Sequence, residues 1–144
     1  MSASLDQRSW WLLLAAWLIA LSATLGALYI GEIIGQAPCA LCWFQRAFMF
    51  PLAIMLAVSC AISDTRVWRY ALPIAGIGWA VALYHSLLFS GLVSEELQPC
   101  GAGPSCSSAD MAILGQVPIP ALSLAAFSII IILLEMLRRR SHRE

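Results

Sequence analysis

Four apolar runs of about twenty residues, separated by short polar stretches, occupy residues near 10–30, 43–62, 70–89 and 119–137. Lipid offers no partner for a bare backbone amide or carbonyl, so a run of about 20 apolar residues crosses a bilayer as a helix. The pattern predicts an all-α membrane protein, a four-transmembrane-helix bundle, with one longer loop near 90–118. The first run exceeds the roughly 7–15 residues of a signal-peptide core and no small-residue cleavage site follows it, so it is expected to be a retained span. With no internal repeat, residues 1–144 are expected to form a single integral membrane domain.

Composition agrees with the pattern: 61% of residues are hydrophobic and 11% are charged, against about 25% charged in an average soluble domain. The formal net charge of +0 hides a strong segregation of arginines. Arg8 precedes the first run, Arg66 and Arg69 lie between the second and third, and Arg138, Arg139, Arg140 and Arg143 follow the fourth. Positive charge is retained on the cytoplasmic side, which predicts that both termini are cytoplasmic. The segments near 31–42 and 90–118, with Glu32, Glu95, Glu96 and Asp110, then face outward. Trp10, Trp11, Trp68 and Tyr70 are expected near the inner boundary, and Tyr29 and Trp43 near the outer one. No nucleic-acid-binding surface is expected. The absence of a G-x-G-x-x-G fingerprint argues against a nicotinamide cofactor.

Within that topology, four of the five cysteines form two pairs on the outer side, Cys39/Cys42 and Cys100/Cys106. Pro38 disfavours helix in the residue before it, so the second helix is expected to begin around Cys39. Unpaired amides at a helix start favour negative charge, and the thiolate is the reactive form of cysteine. Arg46 follows Cys42 by four residues on the same helical face, where it can favour a thiolate. An arginine in an apolar zone costs about 2.5 kcal/mol or more unless it snorkels or finds a partner. Arg46 has both readings: a snorkelling residue near a helix end, or a ligand contact beside the cysteines. His85 in the third run is expected at a similar depth, either as a hydrogen-bonded member of the bundle or as a site residue.

Cys100 and Cys106 lie in Pro99-Cys100-Gly101-Ala102-Gly103-Pro104-Ser105-Cys106, a turn-rich segment in which a disulfide can close and swing. Two inert disulfides are the bland alternative, but such short rings constrain little. A four-thiolate zinc site is a second alternative, and an oxidising compartment opposes it, so no resident metal is expected. Cys60, alone near the inner end of the second run, reads as a small buried apolar residue.

The segment Gly26-Ala27-Leu28-Tyr29-Ile30-Gly31-Glu32-Ile33, the block PCALCWFQR from Pro38 to Arg46, Tyr84-His85, the pair Cys100/Cys106 and Ile119-Pro120 together resemble the disulfide bond formation protein B family, in particular its short BdbC-type branch. The resemblance covers nearly the whole chain. It implies a quinone-dependent protein-disulfide oxidoreductase of the bacterial cytoplasmic (inner) membrane, whose redox cysteines face the periplasmic or extracytoplasmic side. The implied partner is an exported thioredoxin-fold dithiol oxidase, and the implied cofactor is a membrane quinone, ubiquinone or menaquinone. By the same resemblance Cys100/Cys106 accept electrons from the partner, with Cys100 as the site of the mixed disulfide. Cys106 then attacks Cys39, and Cys42 is left as a thiolate facing the quinone beside Arg46, with Gln45 and His85 as further quinone contacts. Only five residues separate Cys100 from Cys106, fewer than in the long branch of the family and as in the short branch. A vitamin-K-epoxide-reductase-like enzyme would carry its helix-borne C-x-x-C after the loop cysteines, whereas here it comes first. A non-enzymatic membrane adaptor with structural disulfides would tolerate loss of Cys42.

Overall fold

The computed structural model describes residues 7–93, 112–113 and 117–141. Four helices dominate it: α1 (Gln7–Leu28), α2 (Ala40–Ile62), α3 (Trp68–Phe89) and α4 (Ile119–Ser141). With the turns that extend α1 and α3, each is long and apolar enough to cross a bilayer. A two-residue antiparallel pair, β1 (Ala112–Ile113) with β2 (Val117–Pro118), precedes α4. Cys100 and Cys106, with Glu95, Glu96 and Asp110, lie outside the described residues.

All four expected spans are present, and three start earlier than their apolar runs. Helical hydrogen bonding is set by local caps rather than by where hydrocarbon ends. The second helix begins at Ala40 because Pro38 has been passed and Cys39 caps it with φ −69° and ψ 168°. At its far end Ser63 takes the left-handed conformation, φ 59°, and the Asp64 amide donates back to the Ser59 carbonyl at 2.9 Å. Asp64 Oδ1 accepts from the Arg66 amide at 2.8 Å, which starts a 3₁₀ turn (Thr65–Val67) leading straight into α3. The fourth helix runs past the apolar stretch through Arg138, Arg139 and Arg140, whose charges suit a helix C-terminus. Pro51 and Pro73 lie inside α2 and α3, as membrane helices tolerate.

The helices pack in cyclic order, α1 against α2, α2 against α3, α3 against α4 and α4 back against α1. Small residues make that closeness available: Ala16 and Ala20 on α1, and Ala71, Ala75, Gly78 and Ala82 on α3, are all buried. Phe127 of α4 fills the notch at Gly78, where even a methyl group would overlap its ring. Leu52, Leu56, Ile130 and Leu134 complete the centre, and Trp79 Nε1 donates to Ser128 Oγ at 2.9 Å across α3 and α4. Large apolar side chains such as Leu25, Ile54, Ile77 and Ile132 are exposed on the outside. That inside-out character suits lipid as the surrounding solvent.

The alternation of helix direction gives the bundle two chemically distinct ends. Arg66 and Arg69 at the α2/α3 turn share one end with Arg138–Arg140 of α4, where Trp68 lies under both Arg69 and Arg138. Cys39, Cys42 and Arg46 are at the other end, with Tyr29 and Trp43 exposed beside them.

Candidate functional site

The cysteine end of α2 is built by its own cap. Cys39 Sγ accepts the Cys42 amide at 3.3 Å, doing with sulfur what an N-cap serine does with oxygen. The three-residue spacing brings the two sulfurs to 3.0 Å, with the Cys39 thiol donating to Cys42. A disulfide needs about 2.05 Å, so closing the bond requires only a small side-chain rotation. Cys39 is fully buried, packed with Leu41 and Leu88 and flanked by Tyr84, Phe89 and Val93. Its thiol pKa is pushed up to about 12, first by its hydrogen bond to Cys42 and then by burial, while His85 opposes the shift. Cys39 is therefore held as the thiol.

His85, fully buried on α3, points at this pair: Nε2 is 3.8 Å from Cys39 Sγ and Nδ1 is 3.0 Å from the Gln45 amide nitrogen. Gln45 is also buried. Sequence reasoning put both beside the quinone; the structure joins them to each other, with His85 alone reaching Cys39, and of the two only Gln45 also lines the cavity described next.

Arg46 takes another route. Its Nη2 donates to the Ala27 carbonyl at 2.7 Å, and its guanidinium stacks 5.5 Å from the Trp43 ring centroid. The guanidinium rests against Gly31, where an added Cβ would stand 3.0 Å from Nη2. Gly31 lies in a π-helical turn, Tyr29–Ile33, which loosens the end of α1 before Gly35, at φ +76°, turns the chain toward Pro38. This cradle was not read from the sequence, although a glycine inside an apolar run was its signal.

Cys42, Gln45 and Arg46 line one cavity with Ala27, Met49 and Phe127; it encloses about 590 Å³, counting its open mouth. Ala23, Ala27, Ile30, Ile119 and Ser123 are shared with a longer apolar groove between α1 and α4. A polar head beside Cys42 and an apolar groove thus lie on either side of shared wall residues.

The family model of the disulfide bond formation protein DsbB matches residues 7–137. The chain belongs to the DsbB family. It is 60% identical over 134 residues to a probable disulfide formation protein of Metapseudomonas resinovorans, covering 92% of this chain and 93% of that one. It is also 41% identical over 126 residues to disulfide bond formation protein C of Bacillus subtilis, covering 88% and 91%. A probable disulfide formation protein of Deinococcus radiodurans is 39% identical over 134 residues, with 87% of each chain covered. No solved structure matches. The DsbB-family membership and the four apolar helices make this a multi-pass membrane protein and an oxidoreductase of disulfide bond formation.

Proposed function

We propose that this DsbB-family protein reoxidises an exported thioredoxin-fold dithiol oxidase and delivers the electrons to a membrane quinone. The observation that carries the reading is the position of Cys42 in the wall of a cavity that shares lining residues with an apolar groove between α1 and α4. The residues present suit a quinone: Arg46 and Gln45 offer N–H donors at the polar end, and Ala27, Met49 and Phe127 offer apolar walls. Bound there, a quinone supplies an acceptor for two electrons and two protons that stays within the membrane.

The chain's own part is thiol exchange and alignment. A partner thiolate attacks Cys100 and releases Cys106 as a thiolate. Cys106 attacks Cys39, forming the Cys39–Cys106 bond, breaking Cys39–Cys42 and leaving the charge on Cys42. The partner's second thiolate then closes the partner's own disulfide and frees Cys100, which attacks Cys106, remakes Cys100–Cys106 and releases Cys39, so that the Cys39/Cys42 dithiol holds the two electrons. The leaving group is favoured by the amides at the head of α2 and by Arg46, one turn further along the same helix and in the same cavity wall. Because Leu41 and Leu88 cover Cys39, exchange there requires the end of α3 to move off the sulfur. α3 ends at Phe89 in a hydrogen-bonded turn with Gly91 at φ +75°, and this terminal turn is the segment that has to shift. Positive-inside segregation supports an extracytoplasmic cysteine end in the bacterial inner membrane, where an exported partner can meet it.

Purified protein mixed with a reduced thioredoxin-fold partner and quinone tests this. Quinone absorbance should fall in the wild type and stay constant in Cys42→Ala. Quinone reduction that does not depend on the cysteines would sink the reading.

A further inference from the structure

Cys39 Sγ, Cys42 Sγ and a ring nitrogen of His85 lie within 4.8 Å of one another. Two thiolates and an imidazole are soft-to-borderline donors, and with no carboxylate among them the set suits neither magnesium nor calcium. We propose that the reduced Cys39/Cys42 pair and His85 form a three-ligand site for Zn²⁺, with Gln45 orienting the imidazole, and that the bound ion holds the pair in its dithiol form.

The geometry is close to what zinc needs. Zn–S near 2.3 Å and Zn–N near 2.0 Å in a tetrahedron place the ligand atoms about 3.5–3.8 Å apart. The present separations are 3.0 Å between the sulfurs, 3.8 Å from Cys39 Sγ to Nε2 and at most 4.8 Å from Cys42 Sγ to the ring nitrogen, so binding needs ligand shifts of about 1 Å. The outer partner is already in place. With the Gln45 amide turned so that its oxygen accepts Nδ1–H, Nε2 presents a lone pair toward Cys39, which is how metal-bound histidines are usually held. Cys42 lines an open cavity, which provides an entry path and room for a water as fourth ligand.

Binding forms two Zn–S bonds and one Zn–N bond and releases the two thiol protons, with no change of oxidation state. A disulfide has no thiolate to offer, so zinc and the oxidised pair exclude each other. The ion is therefore an inhibitor that captures the reduced interval of the cycle rather than a resident cofactor. The inference needs only that the pair exist as a dithiol, and it is independent of the electron acceptor.

The test uses the full-length protein in detergent with Cys100→Ser and Cys106→Ser, so that only the helix-borne pair and Cys60 remain as thiols. Reduced and handled without oxygen, it is titrated with Co²⁺ and then with Zn²⁺. One Co²⁺ per chain should bind with thiolate-to-cobalt charge-transfer absorption, Zn²⁺ should displace it, and bound Zn²⁺ should shield Cys42 from alkylation. Adding Cys60→Ser should change nothing. His85→Ala should weaken binding at least about tenfold and alter the cobalt spectrum, and Gln45→Leu should weaken it by about 10–100-fold. Failure to take up metal, uptake that persists in Cys42→Ser, or unchanged affinity in a folded His85→Ala would overturn the proposal. If His85→Ala does not fold, by circular dichroism, unchanged affinity in Gln45→Leu does so instead.

Discussion

At the scale of single residues, the two cysteines of one C-x-x-C are chemically unequal because the helix start treats them differently. Cys39 faces inward as the cap and holds a proton; Cys42 stands in the cavity wall. The raised value of about 12 comes chiefly from the bond to Cys42, so Cys42→Ala should move the pH midpoint for Cys39 alkylation down. It should remain above the ordinary thiol value of about 8.5 because burial persists. An unmoved midpoint would show that burial alone sets it. The sign for stability follows from linkage: a raised native pKa adds stability to the reduced form below about pH 8.5, and that gain disappears as pH climbs through about 12. For Arg46→Ala, loss of hydrogen bonds from a charged donor, about 1.5–3 kcal/mol, corresponds to a quinone KM raised about 10–100-fold. Partner binding at the loop should be little changed. Failed partner binding with unchanged quinone kinetics would remove Arg46 from the cavity's role.

At the scale of elements, what the sequence made legible is what periodicity and punctuation encode. Four spans, a helix beginning at the cysteine motif and aromatic residues at the bundle ends all follow from apolar run length, Pro38 and amphipathic side chains. The π turn at Tyr29–Ile33, the Gly31 cradle and the burial of His85 against Cys39 do not, because they depend on which helix faces meet. Two substitutions probe those faces. Gly31→Ala should push the guanidinium of Arg46 aside and raise quinone KM while thermal stability holds; an unchanged KM would mean that the cradle does not position Arg46. Gly78→Ala should destabilise the bundle by about 1–3 kcal/mol through overlap with Phe127. Phe127→Leu in the same chain should recover part of the loss, measured by thermal unfolding in detergent, and no coupling between the two sites would refute the contact.

At the scale of the whole molecule, opposite ends of the bundle carry different chemistry: the arginine cluster of Arg66, Arg69 and Arg138–Arg140 at one, the Cys39/Cys42 pair and a cavity at the other. A relay from loop to helix to lipid needs all its sulfurs at one end, within reach of each other. Arginine placement leads to the expectation that they share one end, with Cys100 and Cys106 outside the described residues, whereas the cover over Cys39 by Leu88 had no such signal, since nothing in the order of residues says which side chains close over a cap. The measurement that bears most directly on the relay is trapping of its internal disulfide. In the double variant Cys42→Ala, Cys100→Ala, peptide mass spectrometry after mild oxidation should find Cys39 joined to Cys106. Recovery of both as separate thiols, each labelled only from opposite sides of the membrane, would contradict it.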